Sequence, residues 1–174
     1  MMRLGRVLLL DCNDLAARVT SQLMSKWSST EWEALRSGEA CPICLSGKPF
    51  GIVAELNAMY LTSSPNSPMR GYCCLVLKRH AVELYELTAD EACALMRDLQ
   101  RVAAALQEIT RAVKLNYAIH GNTIPHLHVH LFPRYKGDPF EDGPINPRLI
   151  RESPYGDGEF ESFRRTLQTK LSEG

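Results

Sequence analysis

Three histidines in strict alternation are the part of this sequence richest in chemistry. Its five histidines fall at 80, 120, 126, 128 and 130. The run His126-Leu127-His128-Val129-His130 places three of them at every second position. On a β-strand alternate residues share a face. The spacing therefore predicts Leu127, Val129 and Leu131 pointing into a core, and three imidazoles about 7 Å apart on the other side. Apolar alternation accounts for a strand; it does not account for three histidines opposite. The residues alone leave three readings open. One is a solvated polar face. A second is a zinc ion held by the three rings, as histidine is a common zinc ligand. The third is a nucleophilic imidazole with two helpers, because a ring whose pKa lies near working pH is available to attack.

A second feature is Cys41-Pro42-Ile43-Cys44. Two cysteines on a tight turn bring two thiolates to one point, as in zinc knuckles. A redox pair of the thioredoxin kind is the rival, but it requires a helix starting at the motif, and Ser46-Gly47-Lys48-Pro49 does not promise one. Two ligands are not a site, so two more are needed. The other cysteines carry less. Cys73 and Cys74 are adjacent and face opposite sides of a strand. Cys93 falls inside a helical pattern and is expected to be a small core residue.

The elements that must position these residues follow from periodicity. Residues 14–36 repeat apolar side chains at helical spacing (Leu15, Val19, Leu23, Trp27, Leu35), with Gly38 as a stop. One or two short strands are expected over 51–62, then a loop through Ser63-Ser64-Pro65-Asn66-Ser67-Pro68. Tyr72 to Leu77 is an apolar strand. Thr88 and Glu91 form a capping box at the start of the longest helix. Its expected buried stripe is Leu95, Met96, Leu99, Val102, Ala103, Leu106, Ile109 and Val113. Leu115–Ile119 and Leu127–Phe132 are two further strands, joined through Gly121-Asn122-Thr123. A polar helix is expected around 157–171. Strands, one long helix and more strands without intervening helices predict an α+β fold, an antiparallel sheet with the helix packed on one face. The expected organisation is an N-terminal helical extension (1–39), a central domain (40–141) and a C-terminal tail (142–174).

Composition narrows the function classes. The chain has 174 residues, with 20 Lys and Arg against 20 Asp and Glu. Zero formal charge lacks the basic field expected of a general nucleic-acid or membrane-surface binder. The run Val7-Leu8-Leu9-Leu10 is too short for a secretory signal or a membrane span. The default expectation is a cytoplasmic protein.

The stretch Gly121-Asn122-Thr123-Ile124-Pro125-His126-Leu127-His128-Val129-His130-Leu131-Phe132-Pro133-Arg134 resembles the signature of the histidine triad (HIT) superfamily, in its nucleotide hydrolase branch of diadenosine polyphosphate hydrolases and nucleoside phosphoramidases. Arg70-Gly71-Tyr72 through His80, and the Cys41–Cys44 pair, extend the resemblance over roughly residues 40 to 140. It implies a HIT-like sheet and hydrolysis at the α-phosphate of a nucleotide. In this reading His128 attacks phosphorus and forms a nucleotidyl-histidine, His130 stabilises the phosphate oxygens, and His126 fixes the geometry from behind. It further implies phosphate or leaving-group contacts from Asn116 and Thr123, backbone donors from Gly121 and Asn122, and a homodimer. A structural zinc on Cys41, Cys44, His80 and His126 is implied by the zinc-bearing members, with no metal required for the chemistry. Sugar-phosphate uridylyltransferases of the superfamily carry Gln at the third position, so His130 implies hydrolysis. A nucleotide-binding regulator with little turnover is the alternative. The chain departs from the family in three places. Many members have Pro-Gly-His where this chain has Arg70-Gly71-Tyr72. Leu77 stands where proline is frequent. The usual ribose-holding position falls near Ser63 or Ser64. Arg134 is either a phosphate ligand or an exposed strand-end residue, and His120 reads as surface.

Overall fold

The computed structural model describes residues 25–150 and 152–173. Expectations for residues 14–24 and the 7–10 run fall outside them. Five strands, β1 (Ile52–Glu55), β2 (Met59–Thr62), β3 (Cys73–Leu77), β4 (Lys114–Ala118) and β5 (His128–Arg134), form one antiparallel sheet in the order β1-β2-β3-β5-β4. The helices are α1 (Thr30–Arg36), α2 (Pro42–Ser46), α3 (Ala89–Thr110) and α4 (Glu159–Ser172). The expected α+β class, with a long helix against an antiparallel sheet, is what the chain adopts.

Alternation decides which face of the sheet is covered. Leu75 pairs with Val129 and Cys73 with Leu131, and all four are buried in one core. Val102 and Leu106 of α3 and Phe163 and Leu167 of α4 join the same core. The second helix is drawn in by Phe160, Phe163, Leu167 and Leu171, which recur at three- and four-residue steps and are all buried. The polar segment expected at 157–171 is thus a structural part of the core. His128 and His130 alternate with the core residues and face away from the helices.

The α3 N-terminus follows the sequence closely. The Thr88 hydroxyl accepts from the Glu91 N–H, and the Glu91 carboxylate accepts from the Thr88 N–H. Arg79, just after β3, donates to the same carboxylate and to the carbonyls of His80 and Glu86. The segment that carries His80 is therefore tied to the helix start.

Several local expectations are corrected. Within the described residues the N-terminal helical pattern breaks at Ser29, whose extended backbone and hydroxyl cap start α1 afresh. Val113 is exposed beyond the end of α3, and Met96 is exposed because the stripe on α3 is narrower than the run of apolar residues. Its remaining width is taken by Ala105 and by Asp98. Cys93 is exposed, one position off that stripe. Strand β5 begins at His128, one residue later than expected, and runs through Pro133 to Arg134. Proline is tolerated because pairing with β3 ends at Cys73–Leu131, so no β3 carbonyl waits for its missing N–H.

Asp98 is the buried charge on which the β1–β2 connection rests. It is 5% exposed, and its carboxylate accepts the backbone N–H groups of Asn57, Ala58 and Met59 at 3.3, 2.7 and 3.0 Å. Asp98→Ala orphans three donors at once. Each such loss costs about 1–3 kcal/mol, and shared relief by water lowers the sum. We expect a loss of about 2–4 kcal/mol in urea unfolding with an unchanged fold, as read by circular dichroism.

Candidate active site and metal-ligating cluster

Two groups of chemistry-bearing side chains meet at the start of β5, and His126 belongs to both. It lies just before the strand and is fully buried. Its ring Nδ1 is 3.5 Å from Cys41 Sγ, 3.7 Å from Cys44 Sγ and 3.3 Å from His80 Nδ1, and His80 Nδ1 is 3.3 Å from Cys44 Sγ. The four donor atoms lie within 4.8 Å of one another. Each imidazole is held from behind: His126 Nε2–H donates to the Leu77 carbonyl and His80 Nε2–H to the Arg36 carbonyl, both at 2.8 Å. Protons on Nε2 leave both Nδ1 lone pairs facing the two sulfurs, which is the arrangement a metal-ligating histidine needs. This is a donor set that can hold a metal ion.

The backbone is shaped to bring these four residues together. Cys41-Pro42-Ile43-Cys44 opens the short helix α2, with Pro42 in its first turn. That corrects the plain turn expected from sequence, so the helix that a redox pair would require is present. The two imidazoles completing the cluster favour metal over redox chemistry. Gly38 has φ +89° and its absent Cβ would sit 3.3 Å from the His80 ring. A side chain there would be strained in backbone and would press on His80.

The second group lines a cleft of about 520 Å³ on the uncovered face of the sheet. His128 and His130 form its floor, and Gly121, Asn122 and Thr123 one wall. Their rings are 4.7 Å apart between centroids and perpendicular. His128 Nδ1–H donates to the His126 carbonyl at 2.6 Å, which leaves Nε2 with a free lone pair. His130 Nδ1 is 2.7 Å from the Tyr72 hydroxyl. Burial, then the neighbouring Cys74 and Cys73, push Tyr72 well above the ordinary phenol range, so it keeps its proton. A Tyr72 hydroxyl that donates to Nδ1 places the His130 proton on Nε2. Burial first, then His128 and His120, lower His130 to about 4, and burial likewise lowers His126. His130 is thus a neutral imidazole at neutral pH.

The triad of the sequence therefore divides. His128 and His130 share the cleft, whereas the His126 ring turns to Cys41, Cys44 and His80, beyond the end of the strand pattern that placed it with the others. Among the described residues the three triad rings do not converge on a metal, which removes the three-histidine zinc reading. Asn116 pairs with Phe132 on the same face of the sheet but opens into the neighbouring cleft, where its carbonyl oxygen accepts from Arg134. Arg134 is neither a phosphate ligand nor an exposed residue. It is 6% exposed, forks onto Asp138 at 2.9 Å and donates to the carbonyls of Phe140 and Gly143. Ser63 gives its hydroxyl to the Tyr72 carbonyl, and neither Ser63 nor Ser64 lines the cleft. His120 is exposed, as expected, but its ring stands 5.7 Å from that of His130. Tyr72 was the residue missed as a participant. Its place in Arg70-Gly71-Tyr72, where the resemblance leads one to expect histidine, was the available signal.

An antiparallel α+β sheet with paired imidazoles facing a cleft beside a Cys/His cluster defines a class of protein, and sequence comparison identifies it. Residues 48–137 match the HIT domain family, so the chain belongs to that family. It is 29% identical over 89 residues to the asymmetrical bis(5'-nucleosyl)-tetraphosphatase of Schizosaccharomyces pombe, covering 48% of each chain. It is 39% identical over 70 residues to the bifunctional bis(5'-adenosyl)-triphosphatase/adenylylsulfatase of Arabidopsis thaliana, covering 37% of this chain and 39% of that one. The chain thus spans about half or less of the length of these two relatives. A histidine triad protein of Bradyrhizobium japonicum superposes with a TM-score of 0.59 at 31% identity, over 69% of this chain and 89% of that one. The family therefore includes nucleotide hydrolases among this chain's relatives. No helix among the described residues is long and apolar enough to cross a membrane.

The lowered His130 has a consequence for stability. A histidine held neutral in the fold binds its proton more readily when unfolded, so the unfolded state gains protons as pH falls from about 6.5 toward about 4. The contribution is present above pH 6.5 and lost through that window. Urea titrations of wild type and His130→Gln should show the wild type losing more stability between pH 6.5 and 4 than the variant. Parallel pH profiles contradict the assignment.

Proposed function

We propose that this chain is a nucleotide hydrolase that cleaves at the α-phosphorus through a nucleotidyl intermediate on His128. The observation that carries the reading is the 2.6 Å hydrogen bond from His128 Nδ1–H to the His126 carbonyl, which aims a bare Nε2 into the cleft. In the first step Nε2 donates its lone pair to phosphorus, an Nε2–P bond forms and the bond from phosphorus to the leaving group breaks. The bonding pair departs with the leaving group, which leaves as a phosphate anion from a polyphosphate and takes a proton from solvent to leave as an amine from a phosphoramidate. The ring becomes cationic, and the His126 carbonyl dipole opposite Nδ1–H supports that charge. In the second step water attacks phosphorus and gives up a proton to solvent, the Nε2–P bond breaks, the ring recovers its lone pair and the nucleoside monophosphate leaves with the water oxygen. Two steps replace one difficult attack by water. His130 Nε2–H and the backbone of Gly121–Thr123 meet the phosphate oxygens as charge develops there. Asn116 and Thr123 remain contacts of this reading, Asn116 from the adjoining cleft. A dinucleoside polyphosphate or a nucleoside phosphoramidate presents the required phosphorus.

Zinc is the ion we assign to Cys41, Cys44, His80 and His126. Zinc–sulfur bonds of about 2.3 Å and zinc–nitrogen bonds of about 2.0–2.1 Å place tetrahedral neighbours roughly 3.3–3.8 Å apart. Four of the six donor separations, at 3.3 to 3.7 Å, fit that set, and all lie within 4.8 Å. Four protein ligands leave no open position, so the ion's part is to fix α2, the His80 segment and the His126 ring. A homodimer belongs to the same reading. Strand β4 is an edge of the sheet, with Tyr117 and Val113 exposed on and beside it, and an edge of this kind invites strand pairing.

Two measurements test these assignments. Incubation with diadenosine tetraphosphate, followed by chromatography, should release a nucleoside monophosphate. The His128→Ala variant should be slower by about three orders of magnitude or more. Tight nucleotide binding without turnover by the wild type would instead establish a binding protein. Elemental analysis should find about one zinc per chain, and Cys41→Ser should lose the ion and melt several degrees lower, as expected for a site that contributes folding energy. Wild type purified free of metal, with the same melting temperature after zinc is added, contradicts the zinc assignment.

A further inference from the structure

The mouth of the cleft carries a charge that the two-histidine chemistry does not use. Beyond Gly143 the chain crosses the uncovered face of the sheet, and residues 145–148 complete the wall opposite the Gly121–Thr123 loop. This strap has two anchors. The buried Arg134 guanidinium holds its beginning through Asp138, the Phe140 carbonyl and the Gly143 carbonyl. Asn146 then caps a single turn of 3-10 helix, Pro147–Leu149, by accepting the Arg148 N–H at 3.2 Å. The turn presents Arg148 to the cleft.

Among the described residues Arg148 is the one with a permanent charge on the cleft wall, and no Asp or Glu lines it. Among the described residues its guanidinium makes no salt bridge and no hydrogen bond. The other arginine near the site, Arg134, is wholly engaged. A guanidinium presented to a cleft without an acidic partner is suited to forked recognition of phosphate.

We propose that Arg148 binds the phosphate chain of the leaving group, and that the site is therefore selective for nucleoside polyphosphates over substrates whose negative charge ends at the α-phosphate. This rests on the hydrolase reading of the same cleft and sharpens it to a substrate class. The charge of the α-phosphate itself is met by His130 and the Gly121–Thr123 backbone. A phosphoramidate leaves as an amine and offers Arg148 nothing further. A polyphosphate places additional negative charge where the strap passes.

The test compares full-length wild type, Arg148→Ala and Arg148→Lys on diadenosine tetraphosphate and on adenosine 5'-phosphoramidate. Loss of a charged hydrogen-bonding partner should lower the ratio of kcat/KM for the polyphosphate over the phosphoramidate by about 10- to 100-fold in Arg148→Ala. Arg148→Lys should recover part of that ratio, because a point charge replaces the fork. A ratio unchanged in Arg148→Ala overturns the proposal, as does an equal loss on both substrates. A second arm does not depend on turnover. In a His128→Ala background, Arg148→Ala should weaken calorimetric binding of diadenosine tetraphosphate at least about tenfold more than binding of AMP. That contrast, found together with a wild type that cleaves neither substrate, sinks the hydrolase reading and leaves Arg148 as a polyphosphate ligand. Turnover by the wild type without the contrast sinks the Arg148 assignment alone.

Discussion

One residue, His126, ties the Cys/His cluster to the imidazole of His128. Its ring joins Cys41, Cys44 and His80, and its carbonyl receives the Nδ1–H of His128. A ring fixed by several partners fixes its own peptide, and the peptide sets the tautomer and direction of the neighbouring ring. The buried position of His126, with Nε2–H on the Leu77 carbonyl, removes the freedom that would let the carbonyl turn away. The reactivity assigned to His128 thus depends on contacts that begin as far back in the chain as Arg36, whose carbonyl orients His80.

The remaining structure supplies rigidity to that junction. Val129 and Leu131 root β5 in a core closed by two helices, so the imidazoles opposite them stand on a surface that cannot slide without exposing the core. Two buried charged groups among the described residues, Asp98 and Arg134, each serve a loop. Asp98 gathers the three N–H groups of the β1–β2 connection. Arg134 gathers the carbonyls of the loop that leads to the mouth of the cleft. Each satisfies backbone groups that would otherwise be left without partners in a buried setting. Tyr72 has a similar role for chemistry. It keeps its proton, and its hydroxyl holds the Nδ1 side of the neutral His130 ring.

Much of the fold was legible in the residues, for identifiable reasons. The β5 alternation, the Thr88–Glu91 box and the apolar run of β3 are local signals, read within a few residues. The cluster was half legible. The Cys41–Cys44 spacing is local, but His80 and His126 join it through tertiary structure and were implied only by resemblance. What failed was a matter of faces and partners. Cys93, Met96 and Val113 are apolar residues on or beside a helix whose buried stripe is narrower than its composition. Arg134 looked like a surface cation because its partners, Asp138 and two carbonyls, lie on a loop that folds back. The role of Tyr72 could not be read from spacing, because its 2.7 Å contact joins residues 58 positions apart. The strap at 145–148 escaped notice because a Pro- and Gly-rich stretch shows where order weakens, not where the chain passes.

The central claim is that His128 holds its proton on Nδ1 and offers Nε2 to substrate. Long-range proton–nitrogen correlation spectra of the uniformly nitrogen-15-labelled protein near neutral pH read this directly, with His128→Gln to assign the ring. The account predicts a His128 ring with its hydrogen on Nδ1 and a bare Nε2. A His128 ring protonated on Nε2, with Nδ1 bare, would contradict it.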